Sequence, residues 1–159
     1  MKNWISGLYN RTQLEIIVNE EIEGSERYEI PLSACIIDLD YFKSINDRWG
    51  HPVGDTVLTM TADIVSKNIR KLDYAIRIGG EEFVLILPHT DLEGAYSVAE
   101  KIRLAIESSI HPVAGKYTVS LGVAERNRGE TYQMLYNRMD KALYEAKEAG
   151  RNRVVKSIG

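Results

Sequence analysis

The chain has 159 residues, of which 44% are hydrophobic and 27% charged, and its formal net charge is -3. That length and balance suit one soluble domain with a single core, and the charge argues against a broad nucleic-acid footprint. One cysteine, Cys35, excludes an intrachain disulfide, and no apolar run approaches the length of a membrane span or a secretory h-region. The expectation is a cytoplasmic chain without membrane contact of its own, compatible with a longer parent protein that is membrane-anchored.

Thr12-Gln13-Leu14-Glu15 predicts a capping box that opens a helix, with Leu14, Ile17, Val18 and Ile22 on one face. Leu32 to Leu39, bounded by Pro31 and by acids, predicts a buried strand that holds Cys35 as an inert thiol. Phe42, Ile45 and Trp49 mark a short helix ending near Gly50. A longer helix is expected from about Gly54 to Ile69, with Val57, Thr61, Ile64 and Val65 inward. Tyr74 to Ile78 and Val84 to Leu87 predict two strands joined through Gly79-Gly80, a tight hairpin whose glycines supply positive φ. Asp91 to Glu107 predicts a helix with Leu92, Ala95, Ala99, Ile102 and Ile106 on one stripe. Val119, Leu121 and Val123 alternate as a strand. Thr131 to Ala149 predicts a helix closed by Gly150 at its C′ position, and Arg153-Val154-Val155 an edge strand. The order αβααββαβαβ predicts one α/β (α+β) domain over residues 1–159. Its sheet is expected to be mixed, mainly antiparallel, of about five strands, and flanked by helices.

Glu81 and Glu82 place two carboxylates at the hairpin tip, and like charges at a turn call for a counter-charge such as a divalent metal. Asp38 closes the first strand, where ligands commonly bind in open sheets. If that strand lies beside the hairpin, Asp38, Glu81 and Glu82 converge as hard oxygen ligands suited to Mg²⁺ or Mn²⁺ and to substrate phosphates. The alternative is that Asp38 and Asp40 start a turn and cap the next helix. Lys43 offers a compact positive charge for a phosphate. Asn46 and Asp55 offer an amide and a carboxylate; a carboxylate accepts from two parallel donors, which guanine has on one edge and adenine lacks. Both residues also suit helix capping, with His51 as a packed turn residue. Lys147 and Arg151 flank the helix end at Gly150, where cations also complement the helix dipole.

Gly79-Gly80-Glu81-Glu82-Phe83 resembles the signature of the GGDEF family of diguanylate cyclases, in its Glu version. Ile36 to Leu58 resembles the family's second motif almost residue for residue. Gly7-Leu8-Tyr9-Asn10-Arg11 resembles its opening motif and Ala142 to Asn152 its closing helix, so the likeness spans essentially the whole chain in order. The resemblance implies a fold like the palm of nucleotidyl cyclases and polymerases. It implies condensation of two GTP into cyclic di-3′,5′-GMP with release of two pyrophosphates. It implies metal at Asp38, the backbone carbonyl of Leu39, Glu81 and Glu82, with two Mg²⁺ or Mn²⁺ ions per GTP half-site. It implies catalytic roles for Glu81, Glu82 and Lys43, Glu81 being the expected helper in deprotonating the 3′-hydroxyl. Substrate contacts are implied for Phe42, Asn46, His51, Asp55, Gly79, Gly80, Lys147 and Arg151. One such domain holds one GTP, so catalysis is expected in a homodimer.

Arg70-Lys71-Leu72-Asp73 resembles the family's product-binding inhibitory pattern, with Lys101 where some members carry a further arginine. The alternative is an ordinary solvated connection. Asn3 and Trp4 depart from the family's usual Asp and Pro, at the joint to a sensory or dimerising region that this chain is expected to lack. The competing functional reading is a catalytically silent module that binds cyclic di-GMP or GTP. Silent members usually lose hairpin carboxylates, and this chain keeps both.

Overall fold

The strand expected at Leu32–Leu39 (β1) forms over those residues and is buried along its whole length. Successive residues serve opposite faces: Cys35, Ile37 and Leu39 join one core cluster, Leu32, Ala34 and Ile36 the other. A strand covered on both faces needs an apolar residue at nearly every position, which is why this run is continuous rather than alternating.

The computed structural model describes residues 11–159. Around β1 lie α1 (Arg11–Tyr28), α2 (Phe42–Trp49), α3 (His51–Lys67), β2 (Tyr74–Arg77), β3 (Glu82–Pro88), α4 (Leu92–Glu107), β4 (Val119–Glu125), α5 (Tyr132–Glu148) and β5 (Val154–Lys156). The predicted element order holds. The sheet order is β2-β3-β1-β4-β5. β1 runs antiparallel to β3 and β4, β2 antiparallel to β3, and β5 lies parallel to β4 at the edge. One face packs Phe83, Leu85, Val119 and Leu121 against α2, α3 and α4 through Phe42, Val57, Ala99 and Ile102. The other packs Ile36, Val84 and Ile86 against α1 and α5 through Leu14, Val18, Met139 and Leu143.

Several boundaries differ from expectation: β3 starts at Glu82 rather than Val84, β2 and β5 shift by a residue, and three helix ends move. α3 starts at His51, not near Gly54, because Gly50 at φ 89° turns α2 straight into α3 and Pro52 fits the first helical turn. It ends at Lys67, where Asn68 takes the C-cap position and its side-chain amide donates to Ile64 O at 2.7 Å. α1 is already helical at Arg11, so Thr12 lies inside it and does not cap it. The end of α5 is as expected: Gly150 adopts φ 124° and Arg151 N donates to Ala146 O at 2.9 Å. Burial pushes the Cys35 thiol up, consistent with an inert side chain. Among the described residues no helix is long and apolar enough to cross a membrane. Asn3, Trp4 and the opening motif up to Asn10 lie outside the described residues.

Candidate active site

The β1–β3 register sets Asp38 directly opposite Glu82. Both hold even-numbered positions, on the sheet face that α5 covers. The last turn of α5 delivers Lys147, whose Nζ lies 2.9 Å from Asp38 Oδ2. The Asp38 side chain is only 9% exposed, and its other oxygen, Oδ1, is buried without a hydrogen-bond partner. Burial, then the charge of Asp38, holds the Glu81 carboxyl above its ordinary range, while Lys147 pulls the other way. The same balance raises Glu82, with Asp140 adding to the repulsion. Three carboxylates thus face one ammonium, and one buried lone pair goes unserved.

Among the described residues no three Asp, Glu, His or Cys side chains form a ready metal cage. A magnesium-type site rarely needs one, since one or two carboxylates, waters and substrate phosphates complete its shell. The orphaned oxygen of Asp38, with Glu82 facing it, fits that donor set.

The turn between β2 and β3 is not built as its glycines suggest. Neither Gly79 nor Gly80 adopts positive φ. Arg77 fastens it instead, donating from Nε to Gly79 O at 3.1 Å and from Nη2 to Gly80 O at 2.7 Å. Ile78 N donates to Glu82 O at 3.0 Å, and Leu39 N to Glu81 O at 3.3 Å, which ties the tip to the end of β1. What Gly80 supplies is room: an added Cβ would meet nothing within 4 Å, so the tip's backbone is bare to an approaching ligand.

Asp40 plays a different part from Asp38. It is 2% exposed, and its carboxylate accepts from Thr118 Oγ1 (2.8 Å), Ser120 Oγ (2.7 Å) and Asn152 N (3.0 Å). It ties the start of β4 to the turn after α5. Neither acid caps α2, whose N-cap position is Tyr41 in a left-handed conformation without a side-chain cap. Arg151 stacks its guanidinium over the Tyr41 ring at 4.8 Å.

On α2, Asn46 turns its side chain against Gly54 of α3, with Oδ1 buried and without a partner. Phe42 is buried beside them, while His51 and Asp55 are exposed on the first turns of α3. Lys43 is exposed and pairs with Asp47 at 3.1 Å, so it does not join the carboxylate cluster. A cleft of about 740 Å³ opens elsewhere, between Tyr41, Arg48, Trp49, Lys116 and Tyr117; neither Asn46 nor Glu82 lines it, so cavity size does not mark this site.

Arg70 and Asp73 form a second cluster at the Pro88 end of β3, the end away from Glu82. Arg70 donates from Nε to Asp73 Oδ2 (3.2 Å) and from Nη2 to Oδ1 (2.8 Å). The Asp73 side chain is 0% exposed and that of Arg70 46%, so the aspartate lies beneath the arginine and holds it. Lys101 is exposed on α4. Arg77, Asp140 and the oxygens that Arg70 reaches beyond Asp73 carry no local sequence signal, because their partners are set by strand pairing and by turns.

Residues 4–153 match the family model for the diguanylate cyclase GGDEF domain. The chain is 41% identical to the response regulator PleD of Caulobacter vibrioides, over 95% of this chain and 35% of that protein, so it spans just over a third of that relative. Its fold superposes on the GGDEF domain of DgcB from Caulobacter crescentus, solved in complex with c-di-GMP, with TM-score 0.95 and 31% identity over 99% and 96% of the two chains. It also superposes on the active GGEEF domain of a diguanylate cyclase from Vibrio cholerae, with TM-score 0.90 and 34% identity over 94% and 97%. With that family model covering most of the chain and a relative 41% identical to it, the chain belongs to the GGDEF-domain family of diguanylate cyclases.

Proposed function

We propose that this chain is one half-site of a diguanylate cyclase, which condenses two GTP into cyclic di-3′,5′-GMP and releases two pyrophosphates. The observation that carries this reading is the Asp38–Glu82 pair, with its orphaned oxygen and its single opposing ammonium. Asn46 and Asp55 hold the guanine edge, the buried Asn46 Oδ1 finding the donor it lacks. Asp38, Glu82 and the Leu39 carbonyl, with Glu81 beside them, hold two Mg²⁺ or Mn²⁺ ions when GTP is bound. Bound there, such ions lower the cost of the attacking alkoxide and of charge on the leaving oxygens. Glu81, held above the ordinary carboxylate range, takes part in removing the 3′-hydroxyl proton. Lys147, Arg151 and Lys43 meet phosphates, while His51 and Phe42 border the nucleotide, and Gly79-Gly80 leaves its path clear. Each 3′-oxygen attacks the α-phosphorus of the other GTP, and each pyrophosphate leaves with its electron pair. Two chains must face each other, so the active form is a homodimer. Arg70 and Asp73 form the site where the product inhibits.

Incubation with GTP and Mg²⁺, followed by chromatography of the products, tests this directly. Cyclic di-GMP is expected, with a rate per chain that falls on dilution and with no turnover of ATP. Bound GTP without any cyclic dinucleotide at high protein concentration would instead establish the silent-module reading. That alternative has the weaker support, because Glu81 and Glu82 are both present and placed beside Asp38.

A narrower outcome follows at Gly54. A Cβ there would lie 1.9 Å from Asn46 Oδ1 and 3.0 Å from its Cγ. The amide is the flexible end of the Asn46 side chain and swings away, while the buried Phe42 ring, 3.2 Å from the same Cβ, gives by a few tenths of an ångström. Gly54→Ala is expected to raise the KM for GTP by about tenfold, the worth of one strong hydrogen bond, with kcat less affected. An unchanged KM would remove Asn46 from guanine recognition.

A further inference from the structure

Arg70 is half exposed, yet its guanidinium is not free to wander. Besides the two oxygens of Asp73, its Nη2 reaches Pro88 O at 2.7 Å and Thr90 Oγ1 at 2.6 Å. Nη1 alone is left without an acceptor among the described residues. Thr90 is itself pinned on every polar atom. Its N donates to Pro31 O at 3.1 Å, its carbonyl accepts from Ser33 Oγ at 2.8 Å, and its hydroxyl donates to Pro88 O at 2.8 Å. It is only 8% exposed. A hydroxyl that has spent its proton on Pro88 presents only lone pairs to Arg70, so it can act there only as an acceptor.

We infer that Thr90 is the positioning residue of the proposed product site. Its hydroxyl, fixed by Ser33 and Pro31 through the backbone, fixes the plane of Arg70 before any ligand arrives. The inference rests on the product-site reading of Arg70. Its physical content is preorganisation. A free arginine carries about 2 kcal/mol of rotamer entropy that binding must remove. With Nε and Nη2 tied to the protein, that loss is incurred on folding, and Nη1 of the half-exposed side chain is left as a donor for a ligand. The ligand class that fits is a purine nucleotide with a phosphodiester, which offers acceptor oxygens to Nη1 and a flat base to the guanidinium face. Asp73 holds the fork along one edge; Pro88 O and Thr90 Oγ1 share the Nη2 hydrogens beyond it and resist tilting about that edge, and Thr90 also holds Pro88 O through its own hydroxyl.

The test is a calorimetric titration of cyclic di-GMP, without GTP, into the parent, Thr90→Val, Thr90→Ser, Arg70→Ala and the double variant Thr90→Val/Arg70→Ala. Valine keeps the shape and removes the hydroxyl; serine restores it. Thr90→Val is expected to weaken binding by about threefold to tenfold, the range of one ordinary hydrogen bond, because Thr90 acts through Arg70 and does not touch the ligand. Thr90→Ser is expected to bind like the parent, Arg70→Ala more weakly than Thr90→Val, and the double variant no more weakly than Arg70→Ala. The cyclisation rate at low product should be unchanged in Thr90→Val. Parental binding by Thr90→Val beside weak binding by Arg70→Ala overturns the inference and leaves the product site standing. Serine as weak as valine, or a further loss in the double variant, also overturns it. Parental binding by Arg70→Ala removes the product-site reading and this inference with it. Should valine prevent folding, Thr90→Ala, which adds no bulk, is expected to show the same loss of affinity.

Discussion

Glu82→Gln is expected to abolish cyclisation and, in the absence of metal, to make the protein more stable. The two effects share one cause. Glu82 faces Asp38 across the β1–β3 ladder, Glu81 and Asp140 add negative charge, and Lys147 is the cation set against them. A site arranged to receive positive charge is strained while it waits, and an amide of the same shape relieves that strain. The same amide is a poor ligand for a hard cation, so the rate should fall by about a thousandfold or more, the upper range for losing one catalytic electrostatic contact. The pH dependence carries a sign. A carboxyl raised in the folded state contributes stability that is present below its unfolded value and lost as pH rises through the folded value. The parent therefore loses stability on that rise, and Glu82→Gln loses less. Other carboxyls, such as Glu130 beside Arg138, are lowered and act the opposite way, so the quantity to follow is the parent–variant difference in thermal midpoint. In chelator at neutral pH the variant should melt higher, the gap should close on acidification, and Mg²⁺ with GTP should reverse it by stabilising the parent. A variant that melts lower than the parent in chelator, or retains activity within tenfold, would remove Glu82 from the centre of the site.

Much of this was legible in the chain. β1 could be read to the residue because Pro31 and Asp38-Leu39-Asp40 bracket an apolar run that both faces demand. The convergence of Asp38 with the hairpin glutamates followed once the two strands were taken as neighbours. What could not be read depends on contacts between residues distant in sequence. Asp38 and Asp40 are equivalent in pattern, but Asp40 is claimed by Thr118, Ser120 and Asn152, at separations of 78, 80 and 112 residues. Lys147 looked like a cation at a helix end, and only the packing of α5 over β1 shows it bound to Asp38. The glycine pair misled in detail: the turn type inferred from composition requires positive φ, whereas Arg77 closes this turn without it. Arg70 and Asp73, three residues apart, could be seen locally; Thr90, twenty residues on across two strands and their turn, could not.

Gly122→Ala is expected to be the most damaging small substitution in the sheet, and Gly24→Ala to be harmless or better. Gly122 lies on β4 opposite Ile36, directly beneath α5. An added Cβ would sit 2.2 Å from Met139 O and 2.6 Å from Leu143 N. Both are backbone atoms, so no rotamer relieves the clash and the helix itself must lift. α5 is held to the sheet by Leu135, Met139, Ala142, Leu143 and Ala146, and lifting it opens that whole interface. Overpacking a core ordinarily costs about 1–3 kcal/mol, and a backbone-to-backbone conflict belongs at or above the top of that range. For a domain of this size that lowers the thermal midpoint by roughly 6–12 °C. The same displacement carries away Lys147 and the turn that bears Arg151, so GTP affinity should fall in the molecules that remain folded. Gly24, inside α1, has nothing within 4 Å of its added Cβ. There the methyl only restricts the unfolded chain and favours the helix, a gain of about 0.5–1 kcal/mol. Melting curves of the two variants side by side decide the matter. If Gly122→Ala melts within a few degrees of the parent and binds GTP equally well, then α5 is not seated on the bare backbone of β4, and the coupling drawn between that seat and Lys147 is wrong.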